Sequence, residues 1–185
     1  MEVKQTQYAK AYLAGGCFWC TEYDFEKIQG VIQVTSGYAG GHVDHPTYEQ
    51  VCSETTGHRE AVEVIYDPEV VSYEELVDHL IRIINPTDAI GSFHDIGERY
   101  TPAVFYMNEV EKEIVEKVIH IWNEKKIYRK PLAVKAIPFT NFFPAEEYHQ
   151  KYHEKNPVRY GLYREASGRD EQIRLNQELF PKEGK

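Results

Sequence analysis

The sequence predicts an α/β fold: a two-layer α+β sandwich on a ferredoxin-like split βαβ plait, with extra helices and long loops. Three observations carry this. Segments of period 2 alternate with segments of period 3.6 in the order β-α-β-β-α-β-α-β-α. The 185 residues suit one core, because chains divide into several cores only at greater length. Hydrophobic residues at 42% and charged residues at 28% belong to a globular chain and exclude global disorder.

Residues 8–14 read as a strand, Gly15-Gly16 as a turn, and residues 17–29 as a helix that stops at Gly30. This strand-turn-helix unit presents Cys17 at the helix start. Residues 31–36 form a second strand, and the polar stretch 37–58 is too long for a hairpin, so it is a candidate functional loop. Residues 60–66 alternate with period 2: Glu60, Val62, Val64 and Tyr66 share one face, and Ala61, Glu63 and Ile65 the other. Glu60 therefore lies on a mostly apolar face. Ser72-Tyr73-Glu74-Glu75 is a capping box that opens a helix with Leu76, Val77, Leu80, Ile81 and Ile84 on one stripe, ended near Asn85-Pro86. Residues 87–102 form a second long loop. Residues 103–107 read as a buried strand, and 109–128 as an amphipathic helix with Val110, Ile114, Val118, Ile121 and Trp122 at helical spacing. Residues 132–137 read as a strand and 144–155 as a helix with proline in its first turn. From Val158 onward the chain is polar. One domain over residues 1–157 is expected, then a tail, 158–185, wrapping the core or partly disordered, with a weak helix over 170–179.

The 30 acidic against 21 basic residues give a net charge of −9, which argues against nucleic acid as a partner. No apolar run of about 18 residues is present to span a membrane. Three cysteines are too few for a disulfide scaffold, and the first residues show no basic and apolar leader pattern, so a reducing, cytoplasmic setting is expected; the chain is also expected to be a monomer.

Cysteine chemistry needs the thiolate, and a helix N-terminus favours negative charge, so Cys17 is the candidate nucleophile with a lowered pKa. Cys20 lies one turn on, on the same face, at roughly 5–6 Å between Cβ atoms, somewhat beyond ideal disulfide separation unless the first turn is distorted. A Cys-x-x-Cys opening a helix after a strand points to redox or metal chemistry. Zinc would need two more ligands, for which His42 with His45, or His149 with His153, are the candidates, although neither pair has zinc-finger spacing to the cysteines. Phe18 and Trp19 are core anchors or an aromatic wall that would hold a soft sulfur group. Glu60 is a buried carboxyl, able to stay protonated and act as a general acid, or an edge residue in solvent. Among 14 tyrosines, Tyr48, Tyr100 and Tyr152 sit in polar or non-periodic surroundings, where a phenol could hold a polar oxygen.

The string Gly15-Gly16-Cys17-Phe18-Trp19 resembles the GCFW signature of A-class peptide methionine sulfoxide reductases. The likeness extends from Ala14 to Pro157. Tyr38-Ala39-Gly40-Gly41 is similar to the family's glycine loop, Pro46-Thr47-Tyr48 with Val51-Cys52 to its next segment, and Thr56-Gly57-His58-Arg59-Glu60-Ala61-Val62 to TGHxEAV. Asp95-Ile96-Gly97-Glu98-Arg99-Tyr100 resembles DxGTQY, and residues 143–152 resemble F-x-AExYHQxY.

The resemblance implies that Cys17 attacks sulfoxide sulfur, with Phe18 and Trp19 as the wall for the S-methyl group. Glu60 would protonate or hydrogen-bond the sulfoxide oxygen with help from Tyr48 and Tyr100. Tyr152 would be a further pocket residue, and Asp95 would bind the substrate's backbone or amino group. A sulfoxide has electrophilic sulfur and negative oxygen, so a nucleophile opposite a proton donor suits it. The implied reaction reduces the S epimer of methionine sulfoxide, free or in proteins, through a Cys17 sulfenic acid and a disulfide recycled by thioredoxin or a similar dithiol, with neither metal nor cofactor. Many relatives have glycine at the position of Cys20 and carry recycling cysteines after a KNP-like motif. Here Lys155-Asn156-Pro157 is followed by no cysteine. Cys20 is then the expected resolving thiol, with Cys52 or an external thiol as alternatives. Glu98-Arg99-Tyr100-Thr101-Pro102 also departs from GTQYRS, keeping only the tyrosine. The rival readings are a general thiol-disulfide oxidoreductase, with Ile137-Pro138 as a cis-proline platform, and a zinc-binding interaction module.

Overall fold

The computed structural model describes residues 7–181. In chain order it forms β1 (Ala9–Ala14), α1 (Phe18–Glu26), β2 (Val31–Ala39), α2 (Tyr48–Cys52), β3 (Arg59–Tyr66) and α3 (Tyr73–Arg82). Then come β4 (Gly91–Ser92), β5 (Asp95–Ile96), β6 (Ala103–Tyr106), α4 (Glu109–Glu124), β7 (Lys135–Pro138), β8 (Phe142–Pro144), α5 (Tyr152–Lys155), α6 (Pro157–Ser167) and α7 (Arg169–Leu179). The main sheet has the order β7-β6-β1-β3-β2-β8. The pairings among its four middle strands, β6-β1-β3-β2, are all antiparallel, while the edge strand β7 runs parallel to β6. This is the expected split βαβ plait, in which the β1-α1-β2 crossover leaves room for β3 between its strands.

One face of the sheet, carrying Leu13, Val34, Val62, Val64 and Val104, packs against Phe18 and Phe25 of α1, Leu76 and Leu80 of α3, and Val115, Val118 and Trp122 of α4. The other face carries Tyr12, Ala14, Ala61 and Phe105 and has no helix over it; Phe139 stacks on Tyr12 with ring centroids 4.1 Å apart, and Phe142 lies at 5.5 Å. Only residues 139–141 join the two edge strands β7 and β8. Four Cα steps reach at most about 14 Å, whereas a flat six-stranded sheet is roughly 24 Å wide. The sheet is therefore curled, and the aromatic cluster around Tyr12 fills its concave side.

Several elements differ from the sequence reading. The first long loop contains α2, opened by a capping box in which Thr47 and Gln50 exchange side-chain and backbone hydrogen bonds. The second contains the β4-β5 hairpin. Helix α4 ends at Glu124, because Lys126 is left-handed, and Val110 and Ile121 are exposed while Val115 is buried. β7 starts at Lys135, since the amides of Leu132 and Ala133 are taken by Asn123 and Pro86. Its Ile137-Pro138 bond is trans, so the cis-proline platform is absent. The helix expected over 144–155 is replaced by β8, a 3-10 turn and the short α5. Lys151 is left-handed, and its N–H binds the Glu22 carboxylate instead of a carbonyl one turn back.

Of the expected tail, 158–185, residues 182–185 lie outside the described residues, and the rest folds into α6 and α7, joined at Gly168, whose φ of 72° suits a residue without Cβ. They seal against the core through charge. Arg164 binds Asp24 at 2.8 Å and Asp170 at 2.7 Å, and Arg169, only 1% exposed, donates to the carbonyls of Gly15 and Ile83 at 2.9 Å each. No helix of the described residues is long and apolar enough to cross a membrane.

Candidate active site

Cys17 is the N-cap of α1, with φ −51° and ψ 119°, outside helical conformation. An N-cap side chain reaches toward the residue three positions on, as in a capping box, and here that residue is Cys20. The two thiols lie within hydrogen-bonding reach of each other, so the N-cap geometry closes the gap that a regular helix would leave. All three cysteines are free. Gly16 has φ 84°, and a Cβ there would stand 2.2 Å from the Ser92 hydroxyl, so only glycine brings the β4-β5 hairpin this close to Cys17.

A cavity of about 180 Å³ is lined by Cys17, Phe18, Trp19, Tyr48, Glu60, Asp95, Tyr100 and Tyr163. Glu60 comes from β3, where the alternation read from the sequence buries it beside Val62 and Val64. The N–H of Phe18 donates to its carboxylate at 3.1 Å. Burial pushes its pKa up to about 8, Phe18 N–H and Arg99 pulling the other way, so Glu60 is mostly protonated at neutral pH. Burial likewise raises the Tyr48 and Tyr100 hydroxyls, which stay protonated donors. Cys17 departs from expectation. The helix start alone would lower its pKa, but burial, then its hydrogen bond with Cys20 and the nearby Glu60, hold it well above the ordinary value. Its resting form is a thiol. Cys20 is pulled down to about 7 by its hydrogen bond with Cys17 and by the guanidiniums of Arg169 and Arg164.

Seven of the expected residues thus meet at one cavity, while Cys20 and Tyr152 stand behind it. Tyr152 stacks on Trp19 with centroids 3.8 Å apart and planes 6° apart, so it backs the wall and does not line it. Cys52 is half-buried beyond Tyr48, within hydrogen-bonding reach of it. The altered loop keeps Tyr100 in place: Arg99 lies 4.4 Å over its ring and binds Glu54 and the Cys52 carbonyl, while Glu98 and Thr101 bind Arg59. Asp95 accepts a hydrogen bond from Tyr163.

The zinc pairs come apart. His42 and His45 are exposed, and the Nδ1 of His149 accepts the Trp19 indole N–H at 3.0 Å. Among the described residues, the group able to converge on an ion is Glu26, His153 and Glu154, which includes no cysteine.

Sequence reasoning missed Tyr163, whose hydroxyl stands between Asp95 and Cys17. It also gave no role to Glu146, which accepts from Tyr38 and from the Tyr48 backbone at 2.8 Å each, and offered His149, which aims Trp19, only as a zinc-ligand candidate. No local pattern marks Tyr163. It lies in a segment whose packing is ionic, invisible to apolar periodicity.

Fold and cavity together define a thiol-based catalyst in which the nucleophile faces a neutral carboxylic acid and two phenols across a space suited to a small polar group. The chain belongs to the peptide methionine sulfoxide reductase family, whose model matches residues 9–179. It is 52% identical over 166 residues to a peptide methionine sulfoxide reductase MsrA/MsrB of Vibrio cholerae, a match covering 90% of this chain and 44% of that protein. It thus spans less than half of that relative. Against MsrA 2 of Staphylococcus aureus strain MW2 it is 50% identical over 159 residues, covering 86% of this chain and 90% of the relative. Among solved structures, reduced Mxr1 of Saccharomyces cerevisiae superposes with a TM-score of 0.76 at 31% identity, covering 82% of this chain and 87% of that one. The complex of Mxr1 with Trx2 gives 0.57 at 25% identity, covering 82% and 89%.

Proposed function

We propose that this enzyme reduces the S epimer of methionine sulfoxide, free or in proteins, and is recycled by thioredoxin or a similar dithiol. The observation that carries the reading is the Cys17 thiol facing the protonated Glu60 carboxyl in one cavity. The sulfoxide oxygen accepts hydrogen bonds from Glu60, Tyr48 and Tyr100, and its methyl lies against the Trp19 and Phe18 wall, where sulfur-aromatic contacts add about 0.3–1.5 kcal/mol. Asp95 binds the substrate's amino or backbone N–H. Attack by the Cys17 sulfur, with proton donation by Glu60, breaks the sulfoxide S–O bond. Methionine leaves reduced by two electrons, and Cys17 is left as a sulfenic acid. The Cys20 sulfur then attacks that sulfur as its own proton passes to the departing sulfenic hydroxyl, forming the Cys17–Cys20 disulfide and releasing water.

Disulfide exchange breaks no bond to oxygen, so it does not call for a carboxyl and two phenols converging as donors across the cavity from the nucleophile. The catalytic unit in this reading reaches past Pro157, since Tyr163 of α6 lines the cavity. The enzyme is a cytoplasmic monomer in the same reading. Turnover of a single sulfoxide epimer by the native chain and its loss in Cys17→Ser test the proposal; undiminished turnover in the variant would sink it. A peptide map after one turnover is expected to show Cys17 joined to Cys20, and a Cys17–Cys52 link would reassign the resolving step.

A further inference from the structure

If Cys17–Cys20 is the disulfide to be reduced, which sulfur does the reductant attack? Thiol-disulfide exchange requires an incoming thiolate to reach one sulfur while the other departs, and its rate depends on access and on how readily the leaving thiolate forms. The two sulfurs differ on both counts.

Cys20 has no exposed surface. It is packed in a cluster with Tyr152 and Tyr160, with Tyr23 and Tyr163 against it. This cover is pinned. The Tyr160 hydroxyl accepts a hydrogen bond from Arg164 at 3.0 Å, and Arg164 is clamped by Asp24, one helical turn beyond Cys20. Moving Tyr160 aside therefore disturbs a buried ion pair, whose disruption is strongly unfavourable. Cys17 is also largely buried, but its 6% exposure opens into the cavity that admits the sulfoxide. The leaving-group side agrees. Cys20 lies near the buried Arg169 and Arg164 guanidiniums, which favour its thiolate.

We propose that the recycling dithiol attacks Cys17, entering through the sulfoxide cavity after methionine has left, and expels Cys20 as the thiolate. This rests on the Cys17–Cys20 link of the proposed function. The reductant's first thiolate forms a new S–S bond to Cys17, the Cys17–Cys20 bond breaks, and its electron pair remains on Cys20. The reductant's second thiol then attacks the first reductant sulfur, Cys17 leaves and takes up a proton, and two electrons have passed from dithiol to enzyme. The partner that fits is a thioredoxin-type protein whose nucleophilic cysteine stands proud of its surface.

The test uses the full chain, oxidised by one equivalent of S-sulfoxide, and a thioredoxin whose second cysteine is serine, which arrests the mixed disulfide. Free thiols are alkylated and the adduct is digested with trypsin. Cys17 and Cys20 share the peptide 11–27, where fragments broken at Phe18 and Trp19 tell them apart, while Cys52 lies in the peptide 28–59. The expected result is thioredoxin on Cys17 and alkylation on Cys20, in roughly tenfold or greater excess over the reverse. Thioredoxin on Cys20 overturns the inference while leaving the intramolecular link standing. A link from Cys17 to Cys52 in the oxidised chain before trapping overturns both, and it is read from the other peptide. Tyr160→Ala uncovers Cys20 and is expected to let part of the adduct form there; an unchanged distribution would overturn the argument from access.

Discussion

Replacing Glu60 by glutamine should make the protein more stable and the enzyme worse. The amide has the shape of the neutral acid, and its carbonyl oxygen can still accept the Phe18 N–H that reaches Glu60 at 3.1 Å, so the fold loses no hydrogen bond. What changes is titration. In the native protein burial pushes the Glu60 pKa up to about 8, whereas an unfolded chain ionises it near the ordinary carboxylate value of roughly 4.3. Between those two pH values the folded state binds more protons than the unfolded state. Native stability contributed by this site is therefore full below the unfolded pKa and falls as pH rises toward 8. At about 1.4 kcal/mol per pH unit, holding Glu60 protonated at pH 7 costs the fold roughly 4 kcal/mol. Glu60→Gln removes that cost, which for a chain of this size raises the melting temperature by roughly 8–16 °C. The gain should shrink toward zero near pH 4. Turnover of S-sulfoxide should drop about 10²–10⁴-fold, the usual worth of a positioned acid, and the native enzyme should itself lose activity above about pH 8 as Glu60 ionises. Denaturant melts of both proteins from pH 4 to pH 9 decide the matter: parallel stability curves would refute the buried, protonated acid.

Cys20→Ser should still release one equivalent of methionine in a single turnover, while thioredoxin-supported turnover falls by roughly a hundredfold or more and a high concentration of a small thiol restores it. Tyr163→Phe removes the hydroxyl shared by Asp95 and Cys17. Losing a hydrogen bond to a charged group is worth about 1.5–3 kcal/mol, so kcat/KM should fall roughly tenfold to a hundredfold, and Cys17 should alkylate more slowly because the hydroxyl favours its thiolate. Arg164→Met leaves the buried Asp24 with only the partly exposed Lys27, 3.8 Å away, and should lower stability by roughly 3 kcal/mol in thermal unfolding, with much of the loss recovered on adding Asp24→Asn.

The parts of the molecule that were legible in the sequence are those where local pattern and tertiary packing agree. Alternation in β3 put Glu60 on the apolar face, and the strand, glycine pair and helix start put Cys17 at the cavity. Where tertiary contacts compete with local pattern, reading failed. Residues 144–155 have helical spacing, but the Gln150 side chain pairs with the backbone of Ser36, and Glu22 takes the Lys151 amide, so the backbone turns twice instead of continuing. Helix α7 shows in the sequence only as a weak helix over 170–179 and α6 not at all, because Arg164 and Arg169, their anchors, are charged residues that become buried only by meeting Asp24 and two backbone carbonyls from elsewhere in the chain. The α2 capping box, by contrast, was readable as Thr47-x-x-Gln50, the same signal that located α3.

At Cys17 too a tertiary contact overrides the local pattern, and this sets how the site handles protons. A helix start has orphan N–H groups, and the expectation was that they would serve the thiolate. Phe18, the first residue of α1, gives its N–H to Glu60 instead. In the resting enzyme, then, both reacting groups hold their protons: burial keeps Cys17 a thiol and Glu60 an acid. In the proposed reaction Glu60 passes its proton to the sulfoxide oxygen, and the carboxylate left behind is not stranded, because Phe18 N–H and the positive Arg99 are the influences that favour its charged form. That carboxylate is then the base nearest the developing need, since the Cys17 proton must leave as its sulfur attacks. One buried carboxyl can thus give a proton to oxygen and accept one from sulfur within a single turnover, which is why an acid pushed up to about 8, and not one fixed far above neutrality, fits a reaction that must return the site to its starting state.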